Sequence, residues 1–276
     1  MTPNRMDLPH DTSGIVTPGR TTNRDLALVG AGYWGKNLAR NFHALGALRV
    51  LCEADPQTLA TYNDQYPGVA RTPSYDEVLR DPEVRKVAIA TPAATHFELA
   101  KRAIDVGKDV FVEKPLCLCP DEAQRLLDAA EAQGRILMVG HLLQYHAYVE
   151  KLSEMARGGE FGQLHYITSN RLNLGKIRQE ENSLWSFAPH DISVILALAG
   201  RMPESVICHG ANYLTNGVDD VTLTQLQFAS GLRAHVHVSW LNPFKEQKLT
   251  VVGSAGMAVF DDTKPWDQKL TFYRDY

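Results

Sequence analysis

Leu26-Ala27-Leu28-Val29-Gly30-Ala31-Gly32-Tyr33-Trp34-Gly35 (LALVGAGYWG) decides how the rest of this chain is read. Four apolar residues ahead of a glycine cluster suit a buried strand, and Leu38, Phe42 and Leu45 behind it recur with helical spacing. Between strand and helix, Gly30, Gly32 and Gly35 form G-x-G-x-x-G. In that setting the first glycine permits a tight turn, the second lets a pyrophosphate approach the backbone, and the third lets helix and strand pack closely. The N–H groups that open the helix then face phosphate charge, so Gly30, Gly32, Tyr33, Trp34 and Gly35 are candidate dinucleotide contacts.

Outward from this motif, Gly46 stops the helix, and an apolar strand over 48–52 ends in Glu53 and Asp55. A carboxylate at Glu53 can accept both hydroxyls of an adenosine ribose and would repel a 2′-phosphate. No arginine follows directly, so NAD is expected rather than NADP. Apolar strands over 84–90, 109–113 and 136–139 alternate with helices over 75–79, 95–106 and 120–133. This alternation predicts an α/β domain with a doubly wound parallel sheet, a Rossmann domain, over residues 25–140. After Gly140 the rhythm changes. Helices are expected over 145–156 and 191–199, a polar stretch over 171–182, and strands over 163–170, 205–211, 221–228, 232–239, 249–252 and 257–260. Residues 141–276 read as a substrate-binding α+β domain with a mostly antiparallel open sheet, and residues 1–24 as a mobile leader.

Composition narrows the function. The 276 residues are 44% apolar and 22% charged with a net charge of −4, an ordinary globular balance without a positive field for nucleic acid or anionic membranes. No apolar run approaches the roughly 20 residues of a membrane span, and the first two dozen lack the apolar centre of a secretory signal. Cys52, Cys117, Cys119 and Cys208 are too scattered for a disulfide scaffold and fit a reducing cytoplasm; no zinc spacing accompanies them, so no metal is expected.

Lys114, in Glu113-Lys114-Pro115, follows the strand over 109–113, where ligands of parallel sheets bind, and the proline holds it extended. The segment VFVEKPL (110–116), with HFELAKRAIDVG (96–107) and the glycine motif, resembles the glucose-fructose oxidoreductase, inositol dehydrogenase and MocA family over nearly everything after Arg24. The resemblance implies that Lys114 contacts the reacting sugar hydroxyl and that Thr91, Pro92, His96 and Glu113 border the cofactor. On spacing alone His96 is a solvated residue at a helix start. The resemblance also implies a histidine base that opens a helix behind the substrate. His190 in WSFAPHD (185–191) matches it, and an imidazole titrates near neutrality. Many members carry an aspartate four residues earlier, where this chain has Ser186. Asp191 either compensates or caps the helix.

The stretch NRLNLGKIRQEEN (170–182) resembles the branch acting at C3 of nucleotide-linked amino sugars, as UDP-N-acetylglucosamine 3-dehydrogenase does. Arg171 and Lys176 could then pair with a diphosphate, and Asn173 with hydroxyls or an acetamido group, Asp191 being a further substrate-side candidate. Oxidation of a free sugar or inositol, and a non-catalytic NAD-binding regulator, are the alternatives. Members of the family usually extend several dozen residues past the match to 266–276, which reads as a truncation. A homo-oligomer is expected through the outer face of the second sheet, with Val236, Val238 and Trp240 or their neighbours as its apolar row.

Overall fold

The computed structural model describes residues 3–5, 23–175, 177–179 and 181–274. It divides into two compact units, one spanning Asp11–Gly140 and the other His141–Tyr276 together with Met1–His10. Residues 3–5, expected in a mobile leader, form strand β1 (Pro3–Arg5) of the second unit's sheet. The unpaired N–H and C=O groups of a sheet edge recruit such a segment whatever its composition. The rest of the leader falls almost entirely outside the described residues.

In the first unit the apolar runs become the strands β2 (Leu26–Val29), β3 (Leu48–Cys52), β5 (Lys86–Ile89), β6 (Asp109–Val112) and β7 (Leu137–Val139). Between them run α1 (Gly35–Ala44), α2 (Pro56–Ala60), α3 (Tyr75–Arg80), α4 (His96–Asp105) and α5 (Pro120–Ala132). A further strand, β4 (Ala70–Thr72), is too short to leave a periodic signal. The sheet order is β4-β3-β2-β5-β6-β7, and every neighbouring pair is parallel. Both faces are apolar because both are covered. Val29, Ile89, Val110 and Val112 pack with Ala100, Ile104 and Leu126 on one side, while Leu28, Leu51 and Ala88 pack with Leu38, Ala39 and Tyr62 on the other. Chain order reverses between β2 and β5, which opens a crevice outside their carboxyl ends.

The second unit contains α6 (Ala147–Arg157), β8 (Leu164–Leu174), α7 (Ser183–Ala199), β9 (Ser205–Ala211), β10 (Val221–Gln227), β11 (Arg233–Ser239), β12 (Leu241–Gly253), β13 (Met257–Asp261) and β14 (Leu270–Tyr273). Its sheet runs β1-β14-β13-β12-β8-β11-β10-β9, antiparallel except where β8 pairs with β11. One face is covered by α6 and α7. Tyr148, Leu152, Val194, Ile195 and Leu198 there meet Ile167, Leu226, Val236, Val238 and Val251. Val236, Val238 and Trp240 are thus at most 1% exposed and are not an outward apolar row. The opposite row of β11 carries Arg233, His235 and His237, beside exposed Leu223 on β10.

Helix α7 differs from the expected 191–199 by starting at Ser183 and running through Pro189. Asn182 Oδ1 accepts the Trp185 N–H at 3.1 Å and caps the start, and Gly200 in the left-handed region closes the end. Pro189 cannot donate to the Trp185 carbonyl, but the packing of Val194, Ile195 and Leu198 outweighs that loss. His190 accordingly stands in mid-helix rather than at a helix start. Among the described residues, no helix is long and apolar enough to cross a membrane.

Candidate functional site

The glycine loop is shaped from both sides. Gly30 has φ +88°, and a Cβ there would lie 2.8 Å from the Ala90 backbone. A Cβ on Gly35 would fall 2.0 Å from the Gly30 carbonyl oxygen, so α1 approaches β2 this closely only without a side chain. At Gly32 a Cβ would meet nothing within 4 Å, which leaves space over the loop for a pyrophosphate. Glu53, at the end of β3, accepts the Ala31 N–H at 2.7 Å through Oε2 and the Asp55 N–H at 3.0 Å through Oε1. The Tyr62 hydroxyl donates to the Ala31 carbonyl at 2.6 Å. Two carboxylate oxygens offer about four acceptor directions, so Glu53 can hold the loop and still receive ribose hydroxyls. Burial pushes the neighbouring Cys52 thiol up to about 11, helped by the charges of Glu53 and Glu77, so that no thiolate adds to the negative charge there. An open cradle over Gly32 with an acid at the second strand end fits a dinucleotide.

At the end of β6, Glu113 is 7% exposed and accepts the Trp34 indole N–H at 2.7 Å. That bond ties the segment bearing Lys114 to the glycine loop. Burial raises the Glu113 carboxyl above its ordinary range, opposed by the Trp34 and Lys114 N–H groups. Lys114 is half-buried, and its peptide bond to Pro115 is cis. His96, expected to be solvated, is 1% exposed. Its Nδ1 lies 2.7 Å from the Pro115 carbonyl and its Nε2 2.9 Å from the Thr91 carbonyl, joining the loops after β5 and β6. Thr91 Oγ1 is 2.7 Å from Thr95 Oγ1, and Pro92 precedes the short 3-10 turn Ala93–Thr95. Tyr33 is 85% exposed and Trp34 38%, both at the rim of the cradle.

In the second unit, Asp191 is 4% exposed and takes both Arg171 Nε at 2.7 Å and Arg171 Nη2 at 3.1 Å, plus the Ser169 hydroxyl at 2.7 Å. The pair joins α7 to β8. The Arg171 guanidinium is committed to it rather than displayed toward a diphosphate, and Asp191 does not cap the helix. Asn173, at the end of β8, has a buried Oδ1 with no hydrogen-bond partner among the described residues. Lys176 lies outside the described residues. Ser186, one turn before His190, donates to Glu181 Oε1 at 2.8 Å, and Glu181 also meets Arg178 Nη1 at 3.0 Å. Sequence reading passed over Glu181, because an acid in an aperiodic polar stretch gives no sign that it will be buried. Among the described residues no group of three or more His, Cys, Asp or Glu could hold a metal.

Residues 24–141 match an oxidoreductase family with an NAD-binding Rossmann fold, Gfo/Idh/MocA, and residues 149–259 match that family's C-terminal domain. UDP-N-acetylglucosamine 3-dehydrogenase of Acidithiobacillus ferrooxidans is 29% identical over 196 residues, 71% of this chain and 60% of that protein. Its solved structure gives a TM-score of 0.80 at 25% identity over 91% of this chain and 79% of that one. The structure of GenD2 from gentamicin A biosynthesis, in complex with NAD, gives 0.80 at 26% identity over 86% and 71%. The 2,7-anhydro-N-acetylneuraminate hydratase of Mediterraneibacter gnavus is 25% identical over 249 residues, 85% of this chain and 66% of that protein. The chain thus spans less than two thirds of the length of the first relative and about two thirds of the last.

Proposed function

The chain belongs to the Gfo/Idh/MocA oxidoreductase family and has its NAD-binding Rossmann domain, and we propose that it oxidises the C3 hydroxyl of a nucleotide-linked N-acetylamino sugar to a 3-keto sugar. The observation that carries the reading is the Trp34–Glu113 bond, which couples the dinucleotide loop to the residue before Lys114. NAD, held by the glycine loop and Glu53, supplies the hydride acceptor. Lys114 donates a hydrogen bond from Nζ to the reacting oxygen and steadies the negative charge that develops as its proton leaves. His190 takes that proton through Nε2, since Nδ1 is enclosed. Asn173, with its buried acceptor, is suited to an acetamido N–H or a sugar hydroxyl.

The amino-sugar reading is supported by the similarity to UDP-N-acetylglucosamine 3-dehydrogenase over 71% of the chain. NADH formation with UDP-N-acetylglucosamine and its glucuronate derivative, compared with inositol and free N-acetylglucosamine, tests it. A sugar nucleotide should lead in kcat/KM by roughly 100-fold, the scale of about 3 kcal/mol of added contacts. Lys114→Met should lower kcat by about 100-fold or more while NAD still binds. Preference for inositol would overturn the substrate, and NAD binding without any turnover would favour the regulator. The likeness to the hydratase favours a second reading, net addition of water to an anhydro sugar. It would give a product heavier by one water and no accumulated NADH.

A further inference from the structure

We propose that Glu181 is a positioning residue for His190, acting through the Ser186 hydroxyl; this rests on the reading of His190 as proton acceptor. Ser186 and His190 are four residues apart in α7, so their side chains lie one above the other on one helix face. Ser186 is 4% exposed and donates to a carboxylate that is itself 9% exposed. Enclosing a carboxylate is costly unless it is paired, and here Arg178 and Ser186 satisfy it. The segment is fixed as well. Asn182 caps α7 directly after Glu181, and the Ser183 N–H donates to the Asp219 carbonyl at 2.9 Å. The result is a buried carboxylate shared between Arg178 and Ser186, and the serine stands one turn before an imidazole that becomes cationic when it works.

Other charged and titratable groups lie around α7 among the described residues, and Lys248 of β12, which lines a cavity with Asp191 and Val194, is 3.9 Å from Asp261. Asp191 is taken by Arg171 of β8 and by Ser169. The inner rows of β10 and β11 present Thr222, Thr224, Leu226, Ala234, Val236 and Val238, none of which titrates. The 3-10 turn Leu142–Tyr145 brings Tyr145, with His141 and His146 at its ends, and His146 lies 3.8 Å from Asp262. Helix α6 brings Tyr148 to the core and carries Glu150, Lys151, Glu154 and Arg157, with Lys151 facing Glu154 at 3.5 Å. Asp219 turns its carboxylate to Asn212 at 3.4 Å. Through the Ser186 hydroxyl, which carries the polarisation without transferring a proton, Glu181 favours the cationic form of His190 and so strengthens it as a base.

The test uses the full chain with Glu181→Gln, Ser186→Ala, and Glu181→Gln combined with Ser186→Asp. In Glu181→Gln the acid limb of kcat/KM should move about one pH unit lower. The plateau should fall about tenfold as the base weakens, with KM within about twofold of the parent. Ser186→Ala should move the limb the same way by less, and Ser186→Asp should restore limb and plateau in the Glu181→Gln background. In parallel, the His190 imidazole is titrated by NMR without substrate, and its midpoint should follow the same order. Limbs and midpoints that stay in place in both single variants, or a failure of Ser186→Asp to restore them, would overturn the proposal. If no sugar is turned over yet the midpoint moves with Glu181→Gln, the proposed reaction fails while the Glu181–His190 coupling stands.

Discussion

Replacing Asp191 with alanine would strand the Arg171 guanidinium, because the side chains are only 5% and 12% exposed and two hydrogen bonds join them. Removing one partner of a buried ion pair costs about 3–5 kcal/mol, most of it the penalty of an uncompensated charge. In a unit of this size roughly 3 °C of Tm accompanies each kcal/mol, so the expected loss is on the order of 10 °C. Arg171→Met with Asp191→Leu removes both charges and fills similar volume, and should return to within about 1 kcal/mol of the parent. Urea unfolding followed by tryptophan fluorescence suits the measurement, since Trp185, Trp240 and Trp266 belong to the second unit and only Trp34 to the first. A double-mutant cycle then isolates the pair. If Asp191→Ala costs less than about 1 kcal/mol, or if the double apolar variant is as unstable as the single, the pair is not the desolvated clamp its geometry describes.

Glu53→Gln should weaken NAD binding by about tenfold, the worth of one charge-assisted hydrogen bond, as read by calorimetric titration; unchanged affinity would remove Glu53 from the site. Gly35→Ala should abolish NAD binding or soluble expression, because its Cβ would fall 2.0 Å from the Gly30 carbonyl oxygen. Glu113 has a folded-state carboxyl raised by burial, so its protonated form is favoured in the fold, and the cost of burying its charge grows as pH rises from its ordinary value through the raised one. Glu113→Gln should accordingly gain Tm relative to the parent near neutral pH and lose that gain near pH ~4. A difference independent of pH would refute the assignment.

Much of the first unit was legible because its signals are local. Strands buried on both faces read as apolar runs, and the glycines at 30, 32 and 35 are demanded by contacts within one strand-turn-helix. Lys114 was singled out by its place at a strand end and by the resemblance. The burial of His96 escaped a reading by spacing, because its partners are backbone carbonyls, and carbonyls leave no trace in residue identity. In the second unit the rows of β11 alternate cleanly, yet alternation does not say which row faces the helices, and packing against α6 and α7 chose Val236 and Val238.

By itself, then, the sequence determined a parallel NAD-binding sheet, an acid at the end of its second strand, and a second layer of strands. Only the tertiary structure decided that Arg171 and Asp191 spend their charges on each other, that α7 runs unbroken through Pro189, and that Glu181 turns inward to Ser186. The physical reason is range. Turns and strand burial are set by neighbours along the chain, whereas the partner of a buried charge is chosen by which segments the fold brings within about 3 Å of it.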